Sequence, residues 1–302
     1  MTLLTDHQFE ILPHAEANDG FVFGIGADVS VSNEGFDPGE HTWLTQDTEN
    51  TRRGVKAFGR DVQAARTWTW SSHTDMGDEV EAVNVLDDFA DAWSPEALAL
   101  EPGEVTALRY RIAGRDRRVY GRPRRYSAPP NNLIMSGYVD VTHDFETVDA
   151  YTYDDVETGE SILFSSGALG AGFVLGAAMP LLTRRGDDAS GTQQITVGGK
   201  ARAYPIIRFN GPWTNPSMVT DSWTLNWSGQ IAANKWIEVD TRPWKLTVLD
   251  QDGGSAVDGL DRRTWLEDLW FAPQSRPEIS LGGLASPGAS ADLRWRNAWK
   301  SI

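Results

Sequence analysis

"RYRIAGRDRRVYGRPRRY", Arg109 to Tyr126, holds eight arginines and a single acid, Asp116, in a chain whose formal charge is −16. The stretch itself carries +7, which leaves the remainder at −23. Its spacing says more than its charge. Leu108, Tyr110 and Ile112 alternate with Ala107, Arg109 and Arg111, and after "AGRDR" the apolar residues resume at Val119 and Tyr120. Successive strand side chains point to opposite faces, whereas arginines sharing a helix face would recur about every 3.6 residues. The period of two predicts a hairpin over residues 107–126, with a tight turn at Gly114 to Asp116, one apolar face and one arginine face. On a sheet the guanidiniums are fixed relative to one another. Their planar forks suit bidentate pairing with carboxylates, on the same domain or on another subunit.

Upstream, "GDEVEAVNVLDDFADAW" places Val80, Val83, Leu86, Phe89, Ala90 and Trp93 at spacings of three and four, which predicts a helix over about 78–93. Asp78 with Glu81 reads as its capping pair, and Ser94-Pro95 ends it. Still earlier, turn signals "NDG", "NEG" and "DPG" separate short apolar runs, and Trp68 and Trp70 share one face of a strand. Downstream, "SAPPNN" (Ser127 to Asn132) reads as a domain boundary, giving domains 1–130 and 131–302. The second half carries strands "QQITV", "AYPIIRF", "SWTLNWSG", "KWIEVD", "WKLTVLD", "EISLGG" and "ADLRWRNAWKSI". Turns "VGGK", "NGPWTNP", "DTRP", "DQDGG" and "SPGAS" lie between them, which predicts a sandwich or jelly roll. With 13 tryptophans, 29 glycines and 15 prolines, the fold class expected is mainly β.

Composition excludes several chemistries. The chain has no cysteine, so disulfides, thiolate metal sites and cysteine nucleophiles are ruled out. "GIGADV" (Gly24 to Val29) lacks the third glycine of a dinucleotide fingerprint, and no helix pattern follows it. His7, His14, His41, His73 and His143 show no metal-binding spacing, and Gly254 occupies a ligand position in the calcium-loop-like "DQDGGSAVDGLD". No Ser-His-Asp motif has local support, so no catalytic residue, metal or cofactor is assigned. The acidic surface opposes general binding to nucleic acid. "FSSGALGAGFVLGAAMPLL" (Phe164 to Leu182) is broken by glycines and a proline, so no membrane insertion is expected. The opening "MTLLTDHQFEILPHAEANDG" lacks a secretory pattern, making synthesis in a cytoplasm the expectation. Trp223 and Trp227, on one side of a strand, are read as core, with a glycan-stacking platform as the alternative; a glycoside hydrolase is a further alternative, though no carboxylate pair stands out.

Four stretches together resemble the distal tail (minor tail) proteins of long, non-contractile-tailed bacteriophages, in the form carried by actinobacteriophages. They are "TRRGVKAFGRDVQAARTWTWSSHT", "VNVLDDFADAW" followed by "LRYRIAGRDRRVYGRPRRY", "ARAYPIIRFNGPWTNPSMV", and "LRWRNAWKSI", spanning most of Thr51 to Ile302. The chain departs from the pattern at Pro273-Gln274, where the family often has Pro-Gly. The resemblance implies an N-terminal β-rich, ring-forming domain with one helix and a C-terminal galectin-like β-sandwich. It implies a homo-oligomeric ring, usually of six subunits, at the virion's tail tip. The ring joins tail tube to tip hub and leaves a channel for DNA and the tape-measure protein, with no catalytic site. In that setting Arg109, Arg111, Arg115, Arg117, Arg118, Arg122, Arg124 and Arg125 are expected to include the basic side of a subunit interface. Acids in "DMGDEVE" or "DDFAD" are the expected partners. A carbohydrate-binding sandwich recognising host cell-wall glycan is the alternative function.

Overall fold

A computed structural model describes residues 3–50, 54–94, 98, 100–163, 192–286 and 288–302. The expected glycine-rich apolar stretch and most of the loop after it fall outside these residues. The fold is mainly β, as expected. The chain forms two compact units, Met1–Val156 with Trp299–Ile302, and Glu157–Ala298.

The first unit begins with β1 (Gln8–Ile11), β2 (Phe21–Gly24) and β3 (Val29–Asp37). A two-stranded ribbon follows, in which β4 (Trp43–Leu44) pairs with β7 (Val62–Gln63) and β5 (Thr48–Asn50) with β6 (Val55–Ala57). Then come β8 (Thr67–Asp75), α1 (Glu79–Trp93), β9 (Thr106–Ile112), β10 (Arg115–Ser127), β11 (Tyr138–Thr147) and β12 (Thr152–Asp154). The main sheet runs in the order β2-β1-β9-β10-β11-β8-β3, with β12 added to β10. It curls enough for Phe9 of β1 to meet Phe36 of β3, ring centroids 5.0 Å apart.

Trp68 and Trp70, alternating with exposed or half-buried polar residues, fill the concave side with Phe9, Phe23 and Tyr110. Under α1, the buried His143 stacks on Trp70 and meets the edge of Trp93 at 4.4 Å between centroids. Its Nε2 lies 2.9 Å from the Ser72 hydroxyl. Burial lowers its pKa to about 3, so the ring is neutral.

The helix matches its expected bounds. The Asp78 carboxylate accepts from the amides of Val80 and Glu81, and the Ser94 amide donates to the Ala90 carbonyl. The buried stripe differs from expectation, being Ala82, Leu86, Phe89 and Trp93. These four fall within a narrow sector at about 100° per residue, while Val80 lies on roughly the opposite side. Val80 is 67% exposed and Val83 38%.

The domain division lies at Val156, not near residue 130. "SAPPNN" connects β10 to β11, neighbours in one sheet, through a 3-10 turn (Asn132–Ser136) capped by the Asn131 side chain. Its prolines and asparagines make a turn within the unit.

The second unit contains β13 (Thr158–Leu163), β14 (Thr192–Gln194), β15 (Ile206–Asn210), β16 (Trp213–Val219), β17 (Thr224–Asn226) and β18 (Gln230–Ile231). It continues through β19 (Trp236–Asp240), β20 (Thr247–Asp250), β21 (Glu278–Ala285) and β22 (Ser290–Trp295). One sheet is β13-β22-β15-β19-β20; the other is β14-β21-β16-β17, with β18 on β16. Ile207, Phe209, Val239 and Leu293 of the first share a core with Trp213, Met218, Leu225 and Ile279 of the second, so the unit is a β-sandwich.

Two expectations are corrected. "NGPWTNP" turns only at Gly211-Pro212, between β15 and β16; its Trp213 to Pro216 belong to β16, whose ladder bulges between Thr214 and Ser217, and that irregularity accommodates Pro216. The final expected strand ends at Trp295 and restarts as β23 (Ala298–Trp299), which joins β12 in the first unit's sheet. Gln274, at the departure from the family pattern, holds φ at 53°, a region that favours glycine.

Candidate functional site

The hairpin forms where the alternation places it, but its turn is Ala113-Gly114, one residue earlier than expected. Ile112 pairs with Arg115, and φ is positive at both central residues, 51° and 70°. Two positive φ values mark the mirror-image turn that matches strand twist and favours Asn-Gly. Ala113→Asn should therefore stabilise the first unit by about 0.5–1 kcal/mol. A rise in the midpoint of its thermal transition checks this; a lower midpoint would contradict it.

Register decides what the arginines do. Arg118 stands opposite Arg109, Asp116 opposite Arg111, and Arg117 opposite Tyr110. Since Arg117 and Arg118 are consecutive, they point to opposite faces, and the expected single arginine face divides. Arg109 and Arg118 are both 4% exposed. Two cations directly opposite would repel. Asp155, following β12, holds them together: Arg109 Nε donates to both its carboxylate oxygens at 3.0 Å, and Arg109 Nη2 donates at 2.9 Å. Arg118 Nε and Nη2 donate to Asp155 Oδ1 at 3.0 and 2.8 Å.

A second buried acid, Glu10 of β1, accepts from Arg109 Nη1 and from the Gly20 amide. Gly20 has to be small, because a methyl there would lie 2.0 Å from the Ile11 carbonyl oxygen. Two guanidiniums and two carboxylates thus balance inside the unit. Burial pushes the Asp155 carboxyl upward, but the Arg109 hydrogen bonds and the charge of Arg118 outweigh it, leaving its pKa below the ordinary value. Burial alone would likewise lower Arg109, yet Asp155 and then Glu10 raise it.

Arg117, on the other face, donates to the Ser301 carbonyl at 2.7 Å and lies over the Trp299 ring at 4.7 Å. Trp299 Nε1 donates to Asp154 at 2.7 Å, and the Thr152 hydroxyl donates to the Ser301 carbonyl at 2.9 Å. Arg117 thereby holds residues 299–302 to the sheet. Close by, Asp149 accepts from the Tyr153 hydroxyl and the Tyr151 amide, and burial raises its pKa to about 6 against these bonds and the charge of Arg66.

The remaining five arginines are at the surface. Arg111 pairs with Asp116 at 2.8 Å, and Arg122 donates to the carbonyls of Glu104 and Glu101. Arg124 pairs with Glu146 at 2.6 Å, while Arg115 and Arg125 are exposed. The β10–β11 ladder shifts register between Pro123 and Tyr126, and this bulge turns Arg124 and Arg125 outward together. Arg109, Arg117 and Arg118, engaged within their own unit, are not available to a neighbouring surface.

Trp223 and Trp227 are no platform. Both rings lie in the sandwich core, with Nε1 donating to the carbonyls of Trp270 and Ala256 at 3.0 and 2.9 Å. Among the described residues no group of three or more His, Asp or Glu could hold a metal ion, and no helix is long and apolar enough to cross a membrane. Sequence reading missed Glu10 and Asp155. Glu10 had a local signal, an acid between Phe9 and Ile11 in a strand; Asp155 had none.

No protein-family profile matches the chain, and no curated protein sequence does. Solved structures do. The SPP1 Dit protein (gp 19.1), described as a paradigm of the hub adsorption apparatus in phages infecting Gram-positive hosts, is similar with a TM-score of 0.57 at 12% identity, over 89% of this chain and 93% of its own. A chain of the phage P2 baseplate, in its activated conformation with calcium, gives 0.59 at 11% identity, over 98% and 99%. The strontium-bound baseplate gives the same values. The chain shares its fold with phage adsorption-hub structures. The similarity extends over both units. At 11–12% identity the likeness is one of architecture and carries no residue's role with it.

Proposed function

We propose that this chain is a structural protein of a phage tail tip. The observation that carries the reading is the hub fold, matched over 89–98% of the chain by adsorption-apparatus structures. Copies assemble as a ring, with six the count implied by the family resemblance. The ring joins tail tube to tip hub in the virion and leaves a channel for DNA and the tape-measure protein. A chain charge of −16 suits a lumen through which DNA slides without being held. The role is mechanical and needs no catalytic residue or cofactor.

Subunits of a ring meet through two different patches. Arg111, Arg115, Arg122, Arg124 and Arg125 form the basic part of that interface in this reading, with acids of α1 or the "DMGDEVE" segment of the next copy as partners. Light scattering and negative-stain images of the purified chain test it. A species near six times 33.3 kDa, seen as a ring with a central hole, is the expected result. A monomer at every concentration would remove the ring. Charge reversal at Arg122, Arg124 and Arg125 should abolish assembly, and unchanged assembly would clear those arginines of the role.

A further inference from the structure

The outer face of the sheet β13-β22-β15-β19-β20 carries a polar array that the tail-tip reading does not use. Ile207 and Phe209 of β15, Ile237 and Val239 of β19, and Ala291 and Leu293 of β22 belong to the sandwich core. Side chains alternate along a strand, so Arg208, Asn210, Trp236, Glu238, Ser290 and Asp292 share the other face. All six are half-buried. Register sets them in two adjacent rows across the strands. One runs Leu163, Ser290, Asn210, Trp236, and the other Ser161, Asp292, Arg208, Glu238.

Hydrogen bonds lock both rows. The Asn210 amide nitrogen donates to Ser290 Oγ at 3.0 Å and to Asp292 Oδ2 at 2.8 Å, and the Ser161 hydroxyl donates to Asp292 Oδ1 at 2.6 Å. Arg208 Nε and Nη2 donate to Glu238 Oε2 at 3.0 and 2.6 Å, and its guanidinium lies 4.3 Å from the Trp236 ring centroid. Arg294 Nη2 reaches the same Glu238 oxygen at 2.9 Å. Two functions stay uncommitted among the described residues. The Asn210 amide, fixed by its two donated bonds, keeps its oxygen as an acceptor, and Arg208 Nη1 keeps its donors. Leu163, 71% exposed, and Trp236 bound the first row at its two ends, three strand spacings or about 14 Å apart.

We infer that this face binds a neutral oligosaccharide lying across the strands between Leu163 and Trp236. Sugar hydroxyls donate to the Asn210 oxygen and accept from Arg208 Nη1, and sugar C–H groups pack on the Trp236 ring. The ligand is neutral because two arginines face three acids, Glu157 included at 3.7 Å from Arg294, so an anionic polymer is disfavoured. Short side chains that already hold one another surrender little freedom on binding. The array lies on the other sheet from the one that carries Trp223 and Trp227. It sits within the second unit of one chain and needs no assembly.

Calorimetric titration of the full chain with neutral gluco-, manno- and galacto-oligosaccharides is the test, with polygalacturonate as the anionic probe. At least one neutral probe should bind with a Kd of about 1 mM or tighter. Asn210→Ala should weaken that binding about 5–10-fold, and Trp236→Ala at least about 10-fold. Trp265→Ala removes a ring that is 64% exposed elsewhere in the same unit. It should leave binding unchanged, which separates the array from adventitious stacking. Circular dichroism and the thermal midpoint check the folding of each variant. Were Asn210→Ala to misfold, Arg208→Lys replaces it, keeping the charge but losing the planar fork, and binding should again weaken. No neutral probe bound up to about 10 mM, equal binding in the variants, or binding of polygalacturonate alone would each overturn the site and leave the tail-tip reading standing.

Discussion

Asp155→Ala should lower the stability of the first unit by about 3–5 kcal/mol, the usual cost of removing one partner from a buried ion pair. Arg109 and Arg118 would then face each other across β9 and β10, with Glu10 and the Ala15 carbonyl as their acceptors within the site. The loss comes from stranded charge more than from a missing attraction. Replacing Glu10, Arg109, Arg118 and Asp155 together by apolar residues of similar volume should therefore recover most of it. Urea unfolding followed at the first unit's transition measures both variants. A loss under about 1 kcal/mol for Asp155→Ala would show that the guanidiniums find water instead. Because the folded-state pKa of Asp155 is lowered, its contribution is complete above the ordinary carboxylate value and fades only as pH falls below it.

The second large effect is a pair of opposed pH dependences. His143, held neutral with a pKa of about 3, favours the folded state fully above about pH 6.5. Its contribution falls by about 1.4 kcal/mol per pH unit as acidification charges the unfolded chain first. Asp149, raised to about 6, works in the other direction. Its protonated form is favoured in the folded state, so its contribution is present in acid and lost as pH rises through 6. Between about pH 6 and 4 the two slopes oppose each other in the wild type. Asp149→Asn should expose the histidine slope, a loss of about 3 kcal/mol from pH 6 to 4. His143→Gln, which can still reach Ser72, should reverse the sign, with a gain of about 2 kcal/mol from a carboxyl that solvent partly reaches. Unfolding free energies at the two pH values give the answer. Parallel slopes in the two variants would refute the assignment.

Local order was legible in the sequence wherever a short-range rule governed it. Asp78 and Ser94 bound α1 because caps act within a turn, and the hairpin followed from the alternation around Arg109 and Arg111. What escaped depended on distant chain. The burial of Arg109 and Arg118 requires Asp155 and Glu10, contributed by other strands or the chain beside them. The exposure of Val80 depends on which way α1 faces the sheet, and 3.6-residue spacing leaves that rotation open. The division at Val156 was hidden because β11 returns to the first sheet after a segment with every mark of a linker. Trp223 and Trp227, by contrast, were read as core and lie there, although the opposite sheet that covers them shows in no local pattern. The site was visible as a concentration of charge, while the distinction between its buried and surface arginines was not.

Residues 299–302 rejoin a sheet whose other strands are complete by Asp154, and Arg117 takes its acceptor from Ser301. On the ribosome, the first unit must therefore wait for the whole sandwich to be synthesised, roughly 10–30 s at ordinary translation rates. During that interval Arg117 lacks its carbonyl partner and the sheet lacks Trp299. A copy released early by a stalled ribosome would carry an unfinished first unit even if its sandwich had begun to fold.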